Sequence, residues 1–464
     1  MSNMIDVTSP FDDSVVGQVP FSTQEEVEAA LDLAHSTFLD RKNWLPKYKR
    51  IEILEKLAQI MSSQVEDLTK LCASEGGKPY MDSKVEVLRA INSVKLAIEH
   101  LGAYEGKEVA MGQTPTSANR IAYTLKEPIG VAVAISAFNH PFNLAIGQVI
   151  PAVAVGCPVI IRPATQTPMS ALKVVEMLEE AGLPKGWAQG IVCDRHGSEY
   201  LATSSKTSFL TFIGSASVGW YLSSKVAPGT RVALEHGGVA PVIVAKDADI
   251  DAMIPDLTKG GFYHAGQVCV SVQRVYVDES ICDEVATKLA DSASKLVVGN
   301  QLDPKTEVGP LVNNAEVDRV EEWVNDAVAK GAKVLVGGKR ISKSCFEPTV
   351  LLNPTEDSIV SQKEVFGPVV CVYSYKDIDE AIERANSLDV SFQAAVYSKN
   401  IDTCFKCVKE LNGTAVMVND HTAFRVDWMP FGGAKESGIG VGGISHVMDE
   451  MSNEKMMVIK SPVL

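Results

Sequence analysis

Basic charge is scarce in this chain. Its 43 Lys and Arg face 58 Asp and Glu, for a formal net charge of −15. That surplus repels nucleic acid and anionic membranes at long range, so neither is expected as a partner. The chain also lacks a long apolar segment. The longest run, Val149 to Ile161, is too short to span a bilayer and is interrupted by Pro151 and Pro158. No basic stretch ahead of an apolar one opens the sequence, so a secretory signal is not expected. The nine cysteines are odd in number and follow no framework spacing, the usage of a reducing, cytoplasmic compartment. Cys404 and Cys407 form a C-x-x-C pair without a second pair or a nearby His, so they are assigned to structure and no metal is expected. Repeats and low-complexity tracts are missing as well, and the glycine turn Gly214–Gly219 is not the G-x-G-x-x-G dinucleotide fingerprint.

What is present suits a soluble protein of two or three domains: 464 residues, 46% hydrophobic and 22% charged. Thr23 and Glu26 have capping-box spacing ahead of the helical face Val27, Ala30, Leu31 and Ala34. Residues 45–104 keep a helical period, 106–119 are polar and loop-like, and Arg120 to Lys126 is rich in strand formers. From Ile129 the pattern changes to short apolar runs, Ile129–Ile135, Pro158–Arg162, Gly190–Cys193 and Ser208–Phe212, alternating with helical segments such as Pro168–Glu180. Such alternation predicts an α/β fold with a parallel, doubly wound sheet, which binds ligands beyond the carboxyl ends of its strands. A second alternating block runs from Pro241 to about Val418, and Asn453 to Lys460 reads as a lone terminal strand. That strand and the one near Tyr123 are left to pair with each other or with another chain.

Several segments carry chemistry. Cys269 lies in Gly266-Gln267-Val268-Cys269, downstream of Glu235-His236-Gly237-Gly238, a thiol and a carboxylate of the kind that serve as nucleophile and base. Ile213-Gly214-Ser215-Ala216-Ser217-Val218-Gly219 follows a strand and opens a helix, where backbone N–H groups can receive a phosphate. Ala137-Phe138-Asn139-His140-Pro141 and Arg162-Pro163-Ala164-Thr165 end two buried strands. Glu364-Val365-Phe366-Gly367-Pro368 and Pro430-Phe431-Gly432-Gly433 add two turns near the C-terminus. Taken singly, each is compatible with an ordinary turn.

In order and spacing, these segments together resemble the aldehyde dehydrogenase superfamily over essentially the whole chain. The resemblance is closer to the branch with lactaldehyde, glycolaldehyde and non-phosphorylating glyceraldehyde-3-phosphate dehydrogenases, through Ala265–Val275, Phe424-Arg425-Val426-Asp427 and Met448-Asp449-Glu450-Met451-Ser452. It implies a Rossmann-like cofactor domain (1–105 and 130–236), an α/β catalytic domain (237–436) and a small β oligomerisation element (106–129 and 437–464). Assembly as a homodimer or homotetramer is implied too.

The same resemblance implies roles. Cys269 attacks the aldehyde, Asn139 and the Cys269 amide hold the oxyanion, and Glu235 activates water to hydrolyse the thioester. Ala137, Phe138, Arg162, Thr165, Gly214, Ser215, Gly219, Glu364 and Phe366 are expected to bind the cofactor, NAD or NADP. Two departures from the family stand out. Arg162 replaces a common Lys, and Thr165 stands where NAD-preferring members often have Glu, which together favour NADP. His236 replaces a common Leu and is expected to be structural. Arg425 and His140 are the candidate contacts to a small polar hydroxyaldehyde or semialdehyde, with His264, Arg120 and His421 as weaker ones. Arg425 has a competing assignment as the partner of Asp427. The hydrolytic Glu235 argues against a CoA-acylating enzyme, and the intact Cys269 and Glu235 argue against a non-catalytic structural or binding member; a cofactor-free thiol esterase would not need the cofactor turns.

Overall fold

The apolar runs after Ile129 become strands buried on both faces. The computed structural model describes residues 3–464. Strands β5 (Val131–Ile135), β6 (Val159–Arg162), β7 (Ala188–Gly190), β8 (Thr207–Ile213) and β9 (Arg231–Glu235) are mutually parallel, and β19 (Gly438–Ile439) joins β9 antiparallel. The spatial order is β19-β9-β8-β5-β6-β7. Successive strands run outward from β5 in both directions, so the crevice between β5 and β8 is a topological switch point open at the carboxyl ends.

Alternate residues of β5 explain its continuous apolar run. Val131, Val133 and Ile135 pack with Val27 and Leu31 of α1 (Gln24–Leu39) and Leu201 of α7 (Arg195–Thr203). Ala132 and Ala134 face the other layer. That layer consists of α2 (Lys47–Ser63), α3 (Val65–Gly76), α4 (Tyr80–Gly102), α5 (Pro141–Val155) and α6 (Pro168–Glu180), which contribute Leu54, Leu68, Val94, Ile146 and Val174.

A second sheet has the order β12-β13-β14-β11-β10-β16-β17. Its members are β10 (Pro241–Val244), β11 (Arg274–Asp278), β12 (Lys333–Val336), β13 (Thr349–Leu352), β14 (Val369–Tyr375), β16 (Gln393–Tyr397) and β17 (Ala415–Val418), parallel except for the β12–β13 pair. Smaller pairings complete the structure. β1 (Asn3–Thr8) pairs with β2 (Val15–Phe21), and β15 (Val390–Ser391) with β18 (Ala434–Lys435). β3 (Glu108–Val109), β4 (Arg120–Pro128) and β20 (Ser452–Lys460) form an antiparallel ribbon. The two outlying strands therefore pair with each other, Ser452 opposite Pro128 through Lys460 opposite Arg120. Cys404 and Cys407 are buried in the helix Ile401–Glu410.

Three expectations shift. The strand expected at Gly190–Cys193 lies earlier, at Ala188–Gly190, because the parallel register sets Ala188 opposite Val159. Val192 instead packs with Val7 and Val19 of the N-terminal hairpin. The loop expected over 106–119 contains β3, recruited by Ala122 and Tyr123 of β4. Within 437–464, Gly438–Ile439 belongs to the first sheet and the helix Ile444–Glu450 packs against α5, so β20 alone joins β4.

One buried ion pair fixes the layer that carries the site. Lys78 and Glu86 are both enclosed, 1% and 0% exposed at the side chain, and paired. The other Glu86 oxygen accepts from the Phe142 and Asn143 amides (2.9 and 3.0 Å), the open N-terminal turn of α5. Glu75 does the same for α6, accepting from Met169 and Ser170 (2.8 Å each). Removing one partner of such a pair leaves a buried charge, at a cost of about 3–5 kcal/mol. Glu86→Ala is expected to lower the thermal midpoint by several degrees, and a Lys78→Met/Glu86→Gln double variant to lose much less. A Glu86→Ala protein as stable as its parent would remove the pair from this role.

Candidate active site

The carboxyl ends of β5, β6, β8 and β9 open into a cavity of about 1070 Å³ shared with the second sheet. It is lined by Ala137, Phe138, Asn139, His140, Arg162, Thr165, Gly214, Ser215, Glu235, Cys269, Glu364, Phe366 and Arg425. Thirteen of the residues expected from sequence thus converge on one space. Gly219 does not line it. A side chain there would strike the His236 ring, so this glycine serves the close approach of α8 (Ala216–Ser223) to that ring. His264 and His421 lie outside the lining, and Arg120 is on β4.

The Cys269 turn is built by unusual backbone. His264 and Ala265 have left-handed φ (49° and 53°), followed by Gly266 at 69°. Only glycine fits at 266, because a methyl group would overlap the Gly367 carbonyl. Gln267 then braces the turn. Its side chain accepts from the Val312 amide (2.9 Å) and donates to the His264 and Pro310 carbonyls (3.3 Å each). Its own carbonyl accepts from Asn139 Nδ2 (3.0 Å), which ties the Asn139 loop to the cysteine turn and leaves one amide N–H of Asn139 for the cavity.

Glu235 ends β9, and a methyl group on Gly442 would sit 2.5 Å from its Oε1. Burial pushes its carboxyl above the ordinary range, Glu450 adds to this and Arg425 opposes it. Burial, then the Glu364 and Glu235 carboxylates, push the Cys269 thiol up to about 12, while Arg425 and the local amide pull it down. A thiol in that range is unreactive at neutral pH until charge or a base assists it. The His236 side chain, next in the chain to Glu235, is buried and lines the cavity. Its Nδ1 donates to the Gly214 carbonyl (2.9 Å), and its ring packs edge-on to Phe212 and Trp220.

The far end suits a dinucleotide. Glu86, Glu75 and Asp194 occupy the N-terminal amides of α5, α6 and α7. α8 has no side-chain cap, and Gly214, Ser215, Ser217 and Val218 at its start line the cavity. Its partial positive charge is therefore open to an anion such as a pyrophosphate. Arg162 Nη2 donates to Thr165 Oγ1 (3.2 Å) and the Cys193 carbonyl (3.0 Å), its Nε is buried without a partner, and Arg195 stands on the same wall. Glu364 lies over Gly237, where a side chain would collide with its carboxylate, and its Oε1 is unpartnered. Phe366 keeps a φ of 47° and sets its ring edge-on to Phe138, 5.8 Å away.

At the opposite end, Asp427 receives Arg89 as a fork, Nε at 3.1 Å and Nη2 at 2.8 Å. Arg425 is only within 3.8 Å of Asp427 and makes no hydrogen bond there; its guanidinium lies 3.5 Å from the Phe431 ring centre. The competing assignment of Arg425 as the partner of Asp427 thus holds as a long ion pair, with Arg89 supplying the hydrogen bonds to the same carboxylate. His140 Nε2 is 2.9 Å from the Tyr263 hydroxyl, and burial together with nearby Lys78, His264, Arg89 and Arg425 keeps the ring neutral. Arg89 and Tyr263 were missed in the sequence. Arg89 meets Asp427 across 338 residues, a pairing that no local pattern announces.

Burial also pushes Glu364 up to about 8, with Arg319 opposing. A folded-state value above the unfolded one means the native state holds its proton longer, so stability falls as pH rises from about 4.5 to 8. Glu364→Gln is expected to raise the thermal midpoint of the cofactor-free protein, more at pH 9 than at pH 5. A difference independent of pH would contradict this.

Comparison with known proteins agrees with this geometry. The aldehyde dehydrogenase family model matches residues 1–457. A 3-sulfolactaldehyde dehydrogenase from Priestia aryabhattai is 38% identical over 456 residues, 98% of this chain and 94% of that one. A lactaldehyde dehydrogenase from Methanocaldococcus jannaschii is 35% identical over 460 residues, 98% and 97% of the two chains. Among solved structures, the glyceraldehyde-3-phosphate dehydrogenase GapN of Methanocaldococcus jannaschii, complexed with NADP, superposes with a TM-score of 0.94 at 35% identity, covering 99% of this chain and 100% of that one. Aldehyde dehydrogenase 21 of Physcomitrella patens, in complex with the reaction product succinate, gives 0.95 at 33%, covering 99% and 95%. With a thiol, a carboxylate and an uncapped helix start around one cavity and a family match along nearly its whole length, the chain belongs to the aldehyde dehydrogenase family.

Proposed function

We propose that this NAD(P)-dependent aldehyde dehydrogenase oxidises a small aldehyde bearing an anionic or hydroxyl group to its carboxylate, with NADP the favoured cofactor. The observation that carries the substrate reading is Arg425. Arg425 lines the same cavity as Cys269 and makes no hydrogen bond to Asp427, whose hydrogen-bonding fork comes from Arg89. An arginine with free donors can take a carboxylate, sulfonate or phosphate as a charged hydrogen-bond pair. Neutral His140 and the Tyr263 hydroxyl add sites for a substrate hydroxyl. The relatives named for lactaldehyde and 3-sulfolactaldehyde, and the neighbour holding succinate, support this class.

Cys269 forms the bond to the aldehyde carbon, and Asn139 with the Cys269 amide donates to the oxygen that gains charge. The nicotinamide accepts the hydride when the cofactor is bound. Glu364 and Phe366 hold the ribose and ring end of that cofactor, and Gly214 and Ser215 at the start of α8 hold its pyrophosphate. The resulting thioester on Cys269 is then attacked by a water whose proton passes to Glu235, a base suited to neutral pH by its raised affinity for protons. Arg162 and Thr165, with Arg195 nearby, favour the 2′-phosphate of NADP.

Exposed Tyr123, Leu125, Met456, Met457, Val458 and Ile459 on the β4–β20 ribbon support a homodimer or homotetramer. Light scattering is expected to give a mass of two or four chains. No helix among the described residues is long and apolar enough to cross a membrane. A cytoplasmic place is supported by nine unpaired cysteines.

The test is a panel of lactaldehyde, 3-sulfolactaldehyde, succinic semialdehyde, glyceraldehyde-3-phosphate and propanal with each cofactor, followed by nicotinamide absorbance. Turnover is expected with the polar aldehydes, more efficiently with NADP, and not at all in Cys269→Ala. Arg425→Ala is expected to raise KM for an anionic aldehyde about tenfold to a hundredfold, roughly 1.4–2.7 kcal/mol, and to affect propanal far less. An equal effect on both would discard the anchor, and a hundredfold preference for NAD would discard the cofactor reading.

A further inference from the structure

Cys269 sits among carboxylates. Glu364 and Glu235 face it, and Arg425 is the cation that opposes them. Glu235 in turn faces Arg425 and Glu450. Arg425 faces Glu235, Asp427, Arg89, Cys269 and the neutral ring of His140. The positive charge at the reacting groups therefore comes from Arg425 in the cofactor-free protein.

Geometry places that charge firmly. Phe431 packs with Val268, Val270 and Phe392, and Cys269 lies against the same cluster. The guanidinium is stacked on Phe431 at 3.5 Å, so the ring fixes the cation beside the cysteine turn. A small second chamber behind the main cavity is lined by both Arg425 and Glu235, with Asp427 and Gly442. Arg425 Nε is buried and has no partner. Asp427 opposes this charge from 3.8 Å, but only in part, because the fork from Arg89 shares its carboxylate.

We propose that Arg425 is a positioning residue for the chemistry as well as a substrate contact: its guanidinium electrostatically readies Cys269 for attack and Glu235 for its work as a base. This rests on the reading of Cys269 as nucleophile and Glu235 as base.

The test uses the cofactor-free enzyme and a neutral reagent, iodoacetamide, which forms a carbon–sulfur bond at Cys269 with loss of iodide. The alkylation rate of the Cys269 peptide is followed by mass from about pH 6 to 10 in wild type, Arg425→Gln, Arg425→Lys and Asp427→Asn. Below its midpoint the rate tracks the thiolate fraction, and a neighbouring opposite charge moves that midpoint by about one to two pH units. Arg425→Gln is therefore expected to react about ten- to a hundredfold more slowly at each pH. Arg425→Lys keeps the charge and should recover most of the rate, and Asp427→Asn should react faster than wild type. A mere loss of shape would not move the two removals in opposite directions. An unchanged rate in Arg425→Gln, a Lys variant as slow as the Gln one, or a slower Asp427→Asn would overturn the proposal while leaving Cys269 as nucleophile. Failure of wild-type Cys269 to react in preference to the other cysteines would overturn both readings.

Discussion

Two buried carboxylates decide where this protein can receive an anion. A parallel sheet with helices behind it offers several helix N-termini at one edge, and each could hold a phosphate. Glu75 and Glu86 reach across from α3 and α4 and fill those of α6 and α5. Asp194 caps α7. What is left open is the start of α8, beside Gly214 and Ser215. The same Glu86 contact pins the first turn of α5 and with it the loop of Asn139, which Gln267 joins to the cysteine turn. Cofactor end and reacting end are thus held by one set of buried polar bonds, with Lys78 supplying the charge that lets Glu86 stay inside.

The reacting end has the opposite character: its charges are poorly neutralised. Burial and two carboxylates oppose ionisation of Cys269, and Glu235 and Glu364 are both held toward their protonated forms. Such strain costs stability, and it is concentrated at the groups with chemistry to perform. Arg425 is the cation that faces both Glu235 and Cys269. In the proposed mechanism it both contacts the substrate and readies the thiol and the base.

Much of this was legible in the sequence. Strands buried on both faces, such as Val131–Ile135, announce themselves by unbroken apolar runs, and the motifs fall at strand ends where a parallel sheet puts its ligands. Cys269, Glu235, Asn139, Arg162, Glu364 and Arg425 do meet in one cavity. Long-range pairings were not legible. Nothing local shows that Arg89 will take Asp427, that Gly219 makes room for His236, or that Gly438–Ile439 will extend the first sheet rather than the terminal ribbon. Val192 misled as a strand residue because its apolar side chain serves the N-terminal hairpin.

The central claim is that oxidation passes through an acyl thioester on Cys269 that Glu235 helps to hydrolyse. It is tested most directly by mass spectrometry of a Glu235→Gln variant mixed with a turned-over aldehyde and NADP, then quenched in acid. The expected result is an adduct on the Cys269 peptide equal to the aldehyde less two hydrogens, accumulating in the variant and scarce in wild type. No adduct, or one on another residue, would contradict it.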